Sequence, residues 1–135
     1  MRVKICGLTR AEDIAAAVEA GAAYLFFPHG LGHMIGLDVH DMEDLGEHFV
    51  GYAGEVERSQ AFGLSALRLG RRLQEGFVIT VEPGLYFIPE LIDRWRAQHR
   101  HADFINYAAL EAYRDFSGVR IEDDILVTQN GSRIL

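Results

Sequence analysis

A chain of 135 residues, 49% apolar and 24% charged, has the composition of an ordinary globular protein and room for one domain with a modest core. Its net charge of −7, with no basic stripe, argues against nucleic acid as a partner. No apolar run is long enough to span a bilayer, and the single cysteine, Cys6, excludes an intramolecular disulfide, which together suit a reducing, cytoplasmic setting.

In chain order, Val3 to Cys6 reads as a short buried strand closed by Gly7. Thr9-Arg-Ala-Glu12 has the spacing of a capping box, followed by Ala11, Ile14, Ala15 and Val18 at helical spacing and Gly21 where a C-terminal cap belongs. Ala22 to Phe27 reads as a second strand, so the opening predicts a right-handed βαβ unit. Asp13 falls in the first turn of that helix, where it favours the helix dipole.

After Pro28 the pattern changes. His29-Gly-Leu-Gly-His33 suits a tight turn that brings backbone close to a neighbour, and Leu37 to His40 reads as extended. Residues 41–56 read as loop, with acidic residues crowded from Asp38 to Glu57 as a solvated segment or a cation-attracting rim. Partial helix is expected over Val56–Gly76, with Leu64, Leu67 and Leu69 inward and Gly63 and Gly70 working against it.

Phe77 to Val81 predicts a buried strand ending at Glu82-Pro-Gly. Pro89 starts a helix through about Gln98 that turns Leu91, Ile92 and Trp95 inward, and Arg96 to His101 reads as a loop. Asn106 caps a helix to about Arg114. Val119 to Thr128 predicts one strand, and Asn130-Gly131 turns the chain into a returning strand over Arg133–Leu135. The whole is an α+β pattern.

Several residues in this frame suit chemistry. A carboxylate such as Glu82 at the end of an apolar strand is costly unless it is paired or bound to metal. In an unbroken strand Arg120, Glu122 and Asp124 share one face, which fits either a site or a wet face carrying a surface ion pair. His29, His33 and His40 fall within twelve residues. Imidazole with carboxylate suits a divalent transition ion, although a lone histidine is more often structural.

Three blocks carry a family resemblance. His29-Gly-Leu-Gly-His33-Met-Ile-Gly-Leu-Asp-Val-His40-Asp, Thr80-Val-Glu82-Pro-Gly-Leu-Tyr-Phe and Gly118-Val-Arg120-Ile-Glu122-Asp-Asp resemble, in order, the histidine segment and two glutamate segments of prolidases and aminopeptidase P enzymes. The resemblance implies a pita-bread metallopeptidase fold over residues 26–135, with a curved, mostly antiparallel sheet backed by helices. It implies that His33, Glu82 and Glu122 bind metal, with Glu82 also shuttling a proton and Glu122 bridging two ions. His29, His40 and Arg120 would hold the substrate and steady its tetrahedral intermediate. The ion would be manganese, with cobalt or zinc as alternatives, and the reaction would cleave the peptide bond before proline.

Such enzymes also use two aspartates upstream of the histidine block, where this chain offers only Asp13. Residues 1–25, through Val3-Lys-Ile-Cys6-Gly-Leu-Thr-Arg10, resemble instead the start of phosphoribosylanthranilate isomerase, a (βα)₈ barrel in which Cys6 would match the general base. The expectation is therefore a chimera: a barrel fragment joined to a truncated pita-bread half, catalytically impaired and binding one divalent ion weakly. Unpaired edges make a homo-oligomer its natural state. The alternatives are an active Xaa-Pro peptidase whose ligands are completed by a partner chain, and a phosphate-ligand or isomerase remnant acting through Cys6.

Overall fold

A computed structural model describes residues 11–41 and 45–135, so the expected strand at Val3–Cys6 and the Thr9 side of the capping box lie outside the described residues. The chain divides into two compact units, one joining Met1–Pro28 to Gly84–Val119 and the other joining His29–Pro83 to Arg120–Leu135.

In the first unit, helix α1 (Ala11–Glu19) is capped by Gly21 in the left-handed region at φ 82°, its N–H bonded to the Val18 carbonyl at 3.0 Å. Among the described side chains of α1, Ala17 is buried, whereas Val18, expected inward, is 47% exposed. The expected strand at Ala22–Phe27 is instead a 3-10 turn over Ala22–Leu25, so the described residues hold no βαβ unit. A short apolar run does not distinguish a strand from a buried helical turn. Here the turn satisfies Tyr24 and Phe26 through the carbonyls of Gly21 and Ala23, and it seats Ala22, Leu25 and Phe26 in the core.

Strands β2 (Gly84–Tyr86) and β3 (Gly118–Arg120) form a two-stranded sheet. Helix α3 (Pro89–Ala97) carries proline in its first turn and arginines in its last, as the backbone amides and the dipole favour. It buries Ile92 and Trp95 against Leu25, Phe26, Phe87 and Ile105. Phe87 meets Phe26 edge-on at 5.7 Å and stacks on Tyr113 at 4.7 Å. The Asn106 carboxamide oxygen accepts from the Ala109 amide at 3.1 Å, as its capping role predicts. The α-helix behind it, α4 (Tyr107–Leu110), lasts one turn before tightening to 3-10 geometry over Glu111–Tyr113. On the surface Arg114 grips Asp93 with two hydrogen bonds at 2.9 and 2.7 Å, which hold the Asp93 carboxyl below its usual range.

The second unit is built on β1 (Val78–Val81), β4 (Asp123–Thr128) and β5 (Gly131–Ile134), antiparallel in the order β1-β4-β5. The expected single strand over Val119–Thr128 is broken at residues 121–122, where the Ile121 amide bonds to the Pro83 carbonyl at 3.1 Å. Among the described residues there are thus two sheets where one curved sheet was expected. The hairpin turns at Gln129-Asn130, one residue before the expected Asn130-Gly131, because Gly131 already pairs with Thr128, and the returning strand begins at Gly131 rather than Arg133.

On the other edge of β1 lies the irregular segment 31–35. Glu82 and Thr80 donate their amides to the carbonyls of Leu31 and His33 at 2.7 and 2.9 Å, and Ile35 donates to Val78 at 3.0 Å. A Cβ on Gly32 would overlap the Thr80 carbonyl oxygen, so glycine is what permits this approach. Leu37–His40, expected to be extended, is a bend whose end is tied by the Asp41 amide to the Met34 carbonyl at 3.2 Å.

Residues 41–56, expected to be loop, include the one-turn helix α2 (Glu47–Val50). Residues 56–76, expected to be partly helical, form turns, with Gly63 and Gly76 at φ 83° and 89°. Side chains hold this stretch together: the Glu47 carboxylate receives Arg58 at 2.7 Å and Arg68 at 3.3 Å, and Tyr52 donates its hydroxyl to the Leu67 carbonyl at 2.9 Å.

Trp95→Ala removes the largest fully buried side chain and should cost about 3–5 kcal/mol in urea unfolding; a loss below ~1 kcal/mol would contradict the core described. Gly32→Ala should cost about 1–3 kcal/mol and should speed hydrogen exchange at the Thr80 amide, which now bonds to His33. Unchanged exchange would mean the segment 31–35 does not depend on this close approach.

Candidate functional site

The site grows out of the end of β1. Thr80 and Glu82 alternate along an extended backbone and so project to the same side. They are 1% and 7% exposed, and His33, held opposite by the 31–35 pairing, is 7% exposed. A carboxylate this deeply buried needs partners on both oxygens. Glu82 Oε1 accepts from the Thr80 hydroxyl at 3.1 Å, and Oε2 accepts from Arg120 Nη1 at 2.7 Å. The remaining approach to Oε1 is taken by His33 Nε2 at 3.2 Å.

The other ring nitrogen of His33 decides what that last contact can be. Nδ1 lies 2.8 Å from the Met34 carbonyl oxygen, which can only accept, so Nδ1 carries the proton and donates. In the neutral ring Nε2 therefore presents a lone pair, and it faces another lone pair on Glu82 Oε1. Two acceptors 3.2 Å apart need a proton or a cation to join them.

Both donors also suit a divalent metal ion. Nitrogen and oxygen ligands at about 2.0–2.2 Å from one ion stand about 3 Å from each other, and a backbone carbonyl on the far ring nitrogen is the common way to orient a ligating histidine. The fit stops at these two. Glu122 is exposed and does not line the same cleft, because the break at residues 121–122 undoes the alternation that would put it beside Arg120. Among the described residues no three His, Cys, Asp or Glu side chains form a ready cage.

Around the pair opens a cleft of about 200 Å³, lined by His29, His33, His40, Arg68, Glu82 and Arg120. Five of these were expected from the sequence. His40 meets the His33 ring edge-on at 4.5 Å, and His29 Nδ1 lies 2.7 Å from the Gly30 carbonyl oxygen. Arg68 was not anticipated. It reaches the cleft from the turns that follow α2, guided by Glu47, and no spacing in the sequence marks it out from the neighbouring arginines. No helix among the described residues is long and apolar enough to cross a membrane.

Comparisons with known proteins identify a family. The model of metallopeptidase family M24 matches residues 3–129, so the matched stretch includes residues 3–25 of the segment expected to derive from an isomerase. The human Xaa-Pro dipeptidase is 46% identical over 123 residues, covering 91% of this chain and 24% of that enzyme. The chain thus spans about a quarter of the length of this relative. Among solved structures, proline aminopeptidase P II from Yersinia pestis superposes with a TM-score of 0.51 at 35% identity, covering 90% of this chain and 20% of that one. A zinc-substituted aminopeptidase P of E. coli in complex with product gives a TM-score of 0.51 at 31% identity, covering 98% and 21%. The motifs, the antiparallel α+β architecture and the family match over nearly the whole length agree: the chain belongs to metallopeptidase family M24.

Proposed function

We propose that His33 and Glu82 are two donors of a divalent-metal site and that the cleft around them serves hydrolysis of the peptide bond preceding proline. The observation that carries this is the pair of acceptor atoms at 3.2 Å, which calls for a cation between or beside them. Manganese is the first candidate, with cobalt and zinc as alternatives that accept the same nitrogen and oxygen donors. When bound, the ion supplies Lewis acidity and lowers the pKa of water.

The chain's own residues would do the rest. Arg120 holds Oε2 of Glu82 and so aims Oε1 at His33; Glu82 is placed to take up and pass on a proton at that carboxylate. Arg68, a cation on the cleft wall, suits the C-terminal carboxylate of a short peptide, and His29 and His40 line the space where the scissile group would lie. Among the described residues, one histidine and one buried carboxylate of such a cage come together. We therefore expect weak binding of one ion and little turnover from the isolated chain. Similarity to Xaa-Pro dipeptidase over a quarter of that enzyme supports the substrate class. A continuous family match from residue 3 favours a single origin for the chain over a joined one.

Calorimetric titration of manganese into the metal-stripped chain tests this. One weak site is expected, weakened on the order of 100-fold or more by His33→Ala or Glu82→Ala, since even outer partners of a metal ligand are worth about 10–100-fold. Glu122→Ala should leave binding within about threefold if the two-donor geometry holds. Equal binding by the wild type and Glu82→Ala would overturn the assignment.

A further inference from the structure

We propose that Thr80 is a positioning residue, whose hydroxyl sets the geometry of the His33–Glu82 pair. The proposal deepens the metal-site assignment and rests on it for its functional meaning.

A hydroxyl has one proton to give and lone pairs to accept with. Thr80 Oγ1 accepts from the His33 backbone amide at 3.0 Å and stands 3.1 Å from Glu82 Oε1. Its single proton is therefore directed at the carboxylate. The backbone amide of Thr80 meanwhile donates to the His33 carbonyl at 2.9 Å. One residue thus grips His33 at two points and Glu82 at a third.

The grip is stiff. A β-branched side chain has few torsional options, and Thr80 is 1% exposed, among the most buried residues of the chain. With Arg120 on Oε2 and the Thr80 proton on one side of Oε1, the carboxylate has one direction left, and His33 Nε2 lies along it at 3.2 Å. The proton on His33 Nδ1 is committed to Met34, so the ring does not compete for the hydroxyl. Thr80 does not line the cleft; it acts through His33 and Glu82, which do.

Valine has the same shape as threonine without the hydroxyl. Thr80→Val leaves the His33 amide buried without its acceptor and Glu82 Oε1 without its donor. Thr80→Ser keeps the hydroxyl and drops only a methyl group.

Two readouts on the full 135-residue chain separate the possibilities, with thermal melting to check folding. The first is manganese affinity by calorimetry. We expect Thr80→Val to weaken it by about 10–100-fold, the range for losing an outer partner of a metal ligand, and Thr80→Ser to stay within about threefold of the wild type. The second needs no metal: the imidazole nitrogen resonances of His33 in the stripped protein should shift in Thr80→Val and return in Thr80→Ser.

Wild-type affinity and unchanged imidazole resonances in Thr80→Val would overturn the positioning role and leave the metal site standing. Thr80→Ser as impaired as Thr80→Val would also overturn it, by showing that the methyl packing matters and the hydroxyl does not. A wild type that binds no manganese, with imidazole shifts in Thr80→Val alone, would uphold the positioning role and overturn the metal assignment. Should Thr80→Val fail to fold, Thr80→Ala against Thr80→Ser makes the same comparison.

Discussion

A buried carboxylate governs the second unit. Glu82 sits at the end of an apolar strand with 7% of its surface exposed, and an ionised group there is tolerable only if its neighbours answer it. Two of them donate to it, Thr80 two residues back and Arg120 at the end of β3, while His33 on the paired segment 31–35 faces the same carboxylate. The backbone follows from that need. Segment 31–35 must lie close along β1 to bring His33 within reach, and the close lie requires glycine at position 32. The chain must also leave its extended path after Arg120, at residues 121–122, before β4 pairs with β1.

How much of this was legible in the sequence depended on whether the signal was local. The strand ending at Val81, the proline-led helix α3 and the Asn106 cap each rest on residue chemistry that acts within a few positions, and each stands where expected; the hairpin near Asn130-Gly131 also forms, with its turn one residue earlier. The errors arose where tertiary contacts decide. Ala22–Phe27 has the apolar content of a strand, but its burial against Phe87 and Trp95 suits a 3-10 turn equally well. Residues 56–76 carry leucines at near-helical spacing, yet left-handed glycines and arginine–glutamate ties shape them as turns.

The site divides along the same line. His33, Glu82, His29, His40 and Arg120 were recognisable from their motifs, and the structure gathers all five around one cleft. Glu122 was placed beside Arg120 on the assumption that a strand continues through it, and a break of two residues is enough to turn it out to solvent. Period-two arguments fail in this way, since one interruption reassigns every face beyond it. Arg68 was missed for the opposite reason: nothing near it in sequence announces a cleft, and only the folding of the 47–68 turns delivers it there.

The two kinds of cleft residue are thus mounted differently. His33 and Glu82 are fixed by paired backbone, where a small shift would disturb several hydrogen bonds at once. Arg68 is mounted on irregular turns steadied by a salt bridge to Glu47, with about a third of its side chain exposed. Substitutions in those turns can therefore reshape what the cleft admits while leaving the inner pair undisturbed. Selectivity in such a cleft can drift between descendants while its chemistry stays constant.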